Sequence, residues 1–136
     1  MADLDGFAAT WTPRMLSILR IVAALLFIEH GTSKLFGFPH NPSFDHLPPL
    51  LWVAGILEFG GGILVLLGLF TRPVAFLLSG EMAVAYFMAH FPRAFLPLQN
   101  GGGPAVLFCF VFLFLAVAGG GAWSLDALRG GTRRTT

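Results

Sequence analysis

Glu58 and Glu81 each stand alone in a long apolar run, Glu58 within 50–70 and Glu81 within 73–91. A lone carboxylate in a greasy helix is costly, so it faces protein or water rather than lipid and is suited to holding or moving a proton. A third concentration of chemistry is Glu29-His30-Gly31-Thr32-Ser33-Lys34, which puts an acid, an imidazole and an ammonium at the end of an apolar stretch. His30 and Lys34 are four apart and so share a helical face; Tyr86 and His90 repeat that spacing. At 1.5 Å of rise per residue, Glu58 and Glu81 each lie roughly 12 Å deep and Arg20 about 8 Å deep. Such acids need a proton or a partner, and Arg20 is the candidate partner. The two acids could carry protons while His30, Lys34, Tyr86 and His90 hydrogen-bond the oxygens of a ring. The plainer reading is an interhelical hydrogen bond or ion pair that fixes packing. His30 and His90 could in principle ligate haem or a metal, but no further ligand signature accompanies them, so haem is disfavoured and no metal is assigned. Glu81 and His90 are nine residues apart, on opposite sides of a helix, and form no direct couple.

The elements that must position these groups follow from composition. The chain has 136 residues, 56% hydrophobic and 11% charged, against about 25% charged in an average soluble domain. A soluble domain of this size could not hide so much apolar surface. A net charge of +1 without a basic stripe excludes nucleic acid as a partner. The single cysteine, Cys109, excludes an internal disulfide and a dithiol motif. Four apolar segments, 15–36, 50–70, 73–91 and 104–123, are each close to the 20 residues that cross a bilayer as a helix. Between them lie a proline-rich break at 38–49, the tight Thr71-Arg72-Pro73 connection, and a break at 92–104 with three prolines and Gly101-Gly102-Gly103. The predicted fold is all-α: a polytopic membrane protein, an antiparallel four-transmembrane-helix bundle over 15–126 embedded in the lipid bilayer.

With four spans, both termini and the second loop share a side. Arg14, Arg72, Arg129, Arg133 and Arg134 fall there, against Lys34 and Arg93 on the other. Basic residues mark the cytoplasmic side, so residues 1–14 read as a cytoplasmic segment and 127–136 as a cytoplasmic, disordered tail. The first twelve residues hold two aspartates and no basic residue, unlike a signal peptide, so the first apolar segment reads as retained. Trp11, Trp52 and Trp123 fall near predicted helix ends, as interfacial tryptophans do. Phe108, Phe110, Phe112 and Phe114 alternate and so spread around the fourth helix as packing residues.

Several groups of residues together resemble the DoxX family: Glu29-His30-Gly31 with Lys34-Leu35-Phe36-Gly37; Gly55-Ile56-Leu57-Glu58 with Gly61 and Gly68; Glu81-Met82-Ala83-Val84-Ala85-Tyr86-Phe87 with His90; Gln99-Asn100-Gly101-Gly102; and Trp123-Ser124-Leu125-Asp126. The resemblance implies a small four-helix protein of the bacterial inner membrane. It also points to relatives that serve as subunits of thiosulfate:quinone oxidoreductase or in redox homeostasis. One departure is Gly103-Pro104, where family members commonly carry a glutamate after Asn-Gly-Gly. The expectation is a component of a quinone-linked oxidoreductase system. Its cofactor candidate would be quinone, its partner an oxidoreductase subunit, and its site residues Glu58, Glu81, His30, Lys34, Tyr86, His90 and Arg20. The alternatives are a non-catalytic anchor or assembly module, or a small-molecule transporter, which would need a homo-oligomer to enclose a path.

Overall fold

The computed structural model describes residues 1–132; residues 133–136, the end of the expected tail, lie outside them. Every regular element among the described residues is a helix. Helix α1 runs Ala2–Phe36 without interruption, although Pro13 lies inside it. It therefore absorbs residues 2–14, which the sequence reading set apart from the first span. Thr10 and Thr12 hydroxyls donate back to the carbonyls of Gly6 and Ala8, at 2.9 and 2.7 Å, and such back-bonding is compatible with a continuing helix. A short 3₁₀ turn, Pro42–Phe44, crosses the first loop. Helix α2 spans Pro49–Leu67, with proline at its first turn where the missing N–H costs nothing.

Gly68 ends α2 at φ 67°, and a β-carbon there would lie 2.4 Å from Ser124 Cβ. Both the backbone angle and the contact demand glycine. Helix α3 follows three residues later as Thr71–Ala85 and passes into a wider π-helical turn, Tyr86–His90. A single turn, α4 (Pro97–Asn100), leads into α5, Gly103–Ala118. The fourth span thus stops at residue 118, five short of the expected 123. Gly119, Gly120 and Gly121 break it, with Gly119 and Gly121 at φ 86° and 82°. A β-carbon on Gly121 would sit 2.4 Å from Ser17 Oγ. The final helix, α6 (Leu125–Thr132), occupies much of the stretch expected to be a bare tail.

The four long helices form two extensive pairs, α1 with α2 and α3 with α5. α2 meets α3 more lightly, and α1 meets α5 more lightly still. The core is small: Ala24, Phe27, Val65, Ala75, Leu78, Met82, Ala105, Phe112 and Leu115. Large apolar residues are exposed on every side, Ile56, Phe76, Phe110 and Val117 among them. That arrangement suits hydrocarbon rather than water as the surrounding solvent. α1, α2 and the α3–π-turn unit are long and apolar enough to cross a membrane, and α5 is a shorter apolar helix. Phe112 is fully buried while Phe110 and Phe114 face outward, as the alternating pattern predicts.

Candidate functional site

The polar cluster begins with close approach of α1 and α2. A β-carbon on Gly31 would lie 2.6 Å from the Phe59 backbone nitrogen, one on Gly62 2.7 Å from Ile28, and one on Gly55 3.1 Å from Lys34 Cβ. Small residues of this kind let helices in lipid come together. At that separation Lys34, in the last turn of α1, reaches Glu58 in the middle of α2. Its Nζ donates to Glu58 Oε1 at 2.5 Å, and the two side chains are 9% and 2% exposed. The Phe44 ring of the 3₁₀ turn lies 5.3 Å from the same ammonium, within cation–π range. Side chains on a helix slant toward its N-terminus, so the lysine stem runs from the rim into the bundle.

Glu81 on α3 faces this pair and lies within electrostatic reach of both Glu58 and Lys34. Both its carboxylate oxygens, and Glu58 Oε2, are buried without a hydrogen-bond partner among the described residues. The three ionisable groups line a cavity of about 710 Å³ between α2 and α3. All its other lining residues are apolar, and several of them (Val53, Phe76, Leu77, Val84 and Met88) are more than half exposed on the outer surface. The cavity is thus an apolar slot, open sideways between two helices, whose ionisable lining groups are one ammonium and two carboxylates. Two carboxylates facing one ammonium are electrically balanced when the cluster carries one proton. Such a cluster can therefore take up and release protons.

Arg20 does not serve these acids. Its guanidinium is buried at the other end of the bundle and donates to the carbonyls of Gly120, Trp123 (2.7 Å) and Leu66 (3.4 Å). Because α1 and α2 run antiparallel, the level of Arg20 is the end of α2, not its middle. Its partners are carbonyls left without helical donors after the glycine break and at the end of α2. His30 also stands apart. Its Nδ1 donates to Leu26 O at 2.8 Å, and its exposed ring meets the Phe108 ring edge-on at 5.9 Å. It does not line the cavity, although it lies within electrostatic reach of Glu58. Tyr86 and His90 form a second polar cluster, their rings stacked with centroids 6.4 Å apart. His90 Nδ1 donates to Asn100 O at 3.1 Å, and Asn100 Nδ2 donates to Tyr86 Oη at 3.1 Å and Ala94 O at 3.0 Å. This cluster ties the π-helical end of α3 to the third loop and does not line the cavity.

Asn100 and Asp126 were not among the expected site residues. Asn100 is 2% exposed and organises the loop; its signal was a side chain with both donor and acceptor groups beside a glycine run. The Asp126 carboxylate caps α3 from the far end of the chain, accepting from Phe70 N and Thr71 N at 2.9 Å each. Partial burial alone would raise its pKa. The hydrogen bonds from Thr71 and Phe70, with the nearby Arg129 charge, outweigh that and hold it below the ordinary carboxylate range. Arg129 lies 4.7 Å from the Phe70 ring, so α6 is fastened to the α2–α3 connection twice.

The DoxX family model matches residues 15–91, which carry Lys34, Glu58 and Glu81. A Haemophilus influenzae Rd protein described as uncharacterised is 45% identical over 122 residues, covering 85% of this chain and 91% of its own. The Escherichia coli K12 inner membrane protein YqjF is 31% identical over 123 residues, covering 82% and 88%. Inner membrane protein YphA of the same strain is 34% identical over 125 residues, covering 84% and 89%. No solved structure matches. The family match spans more than half of the chain and the relatives more than four fifths of it, in keeping with its membrane-spanning helices: this chain belongs to the DoxX family of membrane proteins.

Proposed function

We propose that the protein is the membrane component of a quinone-linked redox system and that the slot between α2 and α3 receives the quinone ring. The observation that carries this reading is Glu81: both oxygens are buried without a donor among the described residues, on the wall of a mostly apolar cavity. A volume of about 710 Å³ lies in the range of small-molecule pockets, roughly 300–1,000 Å³. The apolar lining suits an isoprenoid tail arriving from the bilayer. Lys34 holds a ring oxygen, and Glu58 and Glu81 exchange protons with the ring. Tyr86 and His90 steady the end of α3 beyond Glu81, and Arg20 steadies the opposite end of the bundle. His30 lies beside the cluster rather than within it. The single cysteine offers no dithiol couple, so a partner oxidoreductase subunit supplies or removes the electrons. The termini and Arg72 lie in the cytoplasm; Lys34 is engaged inside the bundle, which leaves Arg93 as the outward basic residue and strengthens the charge bias.

The test is binding of decylubiquinone to the full chain in lipid nanodiscs, together with mass spectrometry of quinones that co-purify in mild detergent. Retained quinone that is lost in Lys34→Met and Val84→Trp supports the reading. No quinone in either measurement refutes it.

One observation favours a second reading, a membrane anchor for a partner protein. Residues 2–12 of α1 are exposed throughout, and Leu4, Phe7 and Trp11 fall at helical spacing on this free end, 71%, 62% and 39% exposed. If anchoring is the function, Leu4→Glu with Phe7→Glu abolishes assembly, while Glu58→Gln and Glu81→Gln leave partner activity intact.

A further inference from the structure

We infer that the slot selects the reduced, hydroxyl-bearing form of its ring over the oxidised, carbonyl form; this rests on the quinone reading above. The argument is an inventory of hydrogen-bonding atoms. Three buried carboxylate oxygens, Glu58 Oε2 and both of Glu81, have no donor among the described residues. Among the side chains lining the cavity, only the Lys34 ammonium is a donor, and one of its N–H groups is already given to Glu58 Oε1. Even when the cluster carries the one proton that balances its charge, two acceptor oxygens remain without a hydrogen.

A quinone carbonyl can only accept. Seated here, it takes a hydrogen bond from Lys34 or from the one protonated carboxyl, but it leaves the remaining acceptor oxygens without a donor. A hydroquinone hydroxyl both accepts from Lys34 and donates to a carboxylate oxygen, so it satisfies a buried group the carbonyl leaves unsatisfied. Unmatched buried acceptors weigh heavily, because each forfeits a hydrogen bond it would have made in water. A site built to hydrogen-bond a hydroxyl rejects the analogue lacking one far more strongly than a purely apolar pocket could. The preference concerns binding alone; no bond is made or broken in it.

The experiment compares decylubiquinone with decylubiquinol, kept reduced under argon, by equilibrium dialysis against nanodiscs holding the full chain. The reduced form is expected to bind the unmodified chain at least about tenfold more tightly, a factor that corresponds to about 1.4 kcal/mol. Glu81→Gln exchanges an acceptor for an amide donor at constant shape. It is expected to tighten decylubiquinone binding and to bring the ratio to one or below, a reversal that loss of folding could not produce. Equal affinity for the two forms in the unmodified chain, or tighter binding of the oxidised one, overturns this inference and leaves the quinone reading standing. Binding of neither form removes the quinone reading and this inference with it.

Discussion

Replacing Lys34 with methionine keeps the stem that packs against Gly55 and removes the ammonium, leaving Glu58 buried opposite Glu81. Glu58 is 2% exposed and, among the described residues, its oxygens have no donor other than Lys34, so removing the ammonium leaves a buried carboxylate without its partner. Breaking a buried pair by removing one partner costs about 3–5 kcal/mol. A cost of that size multiplies the unfolded-to-folded ratio by roughly a hundred to several thousand. Replacing both members is far milder, so Lys34→Met with Glu58→Gln should recover most of the loss. The two single variants and the double variant form a cycle whose interaction term should exceed about 1 kcal/mol, as for groups in direct contact. Unfolding in mixed micelles with increasing dodecyl sulfate can be followed by labelling of Cys109, the chain's one thiol, which is half-buried in the folded bundle. A Lys34→Met protein as stable as the original, or a double variant whose loss equals the sum of the singles, would refute the account of this cluster as a buried pair.

Gly31→Leu forces a side chain against the Phe59 backbone and should cost about 1–3 kcal/mol in the same titration. Gly60→Ala, with nothing within 4 Å of its β-carbon, should leave stability unchanged; equal effects would contradict the assigned α1–α2 contact. Arg20→Met strands the carbonyls of Gly120, Trp123 and Leu66, each unsatisfied buried acceptor costing about 1–3 kcal/mol. Hydrogen exchange should then rise selectively across 118–126, and a uniform rise or none would count against the assignment. Asp126 is held below its ordinary range in the folded chain. Its contribution is therefore present above the unfolded value, about 3.9, and is lost as pH falls through the lower folded value. Asp126→Asn should flatten the stability profile below about pH 4, and an unchanged acid limb would show that the cap carries none of it.

The four spans were legible because lipid imposes a simple rule, long apolar helices separated by proline and glycine, and the chain obeys it from Met15 onward. The ends were less legible, since they are set by contacts between distant segments. Gly121 breaks the fourth helix where Ser17 needs room, and α1 continues unbroken through a region whose composition suggested a separate arm. The acids Glu58 and Glu81 were found from their cost alone, and the structure brings them to one cavity. Their partner was misassigned because depth was matched in place of helix direction. Arg20 lies level with the end of α2, whereas Lys34 slants inward from the rim. Lys34 and His30 share a face, as their spacing says, but only Lys34 bonds Glu58; His30 stays exposed and reaches the acid electrostatically. Gly31 and Gly55, on consecutive antiparallel segments, were the available hint that α1 and α2 touch at Lys34. Asn100 and Asp126 act across folded distance, and no periodicity announces them.

The shortness of α5 bears on the surrounding lipid. Sixteen residues rise about 24 Å, several ångströms less than the roughly 30 Å hydrocarbon thickness of a typical bilayer. Such a deficit is met by local thinning of the membrane or by headgroups settling beside the helix end, each at a modest cost per ångström of mismatch. The α5 flank should therefore gather short-chain or loosely packed lipids, while α1 and α2, which are longer, make no such demand. The protein would then sit in an uneven annulus, dimpled on one flank, and acyl-chain length becomes a variable that acts on the α3–α5 pair before it reaches the rest of the molecule.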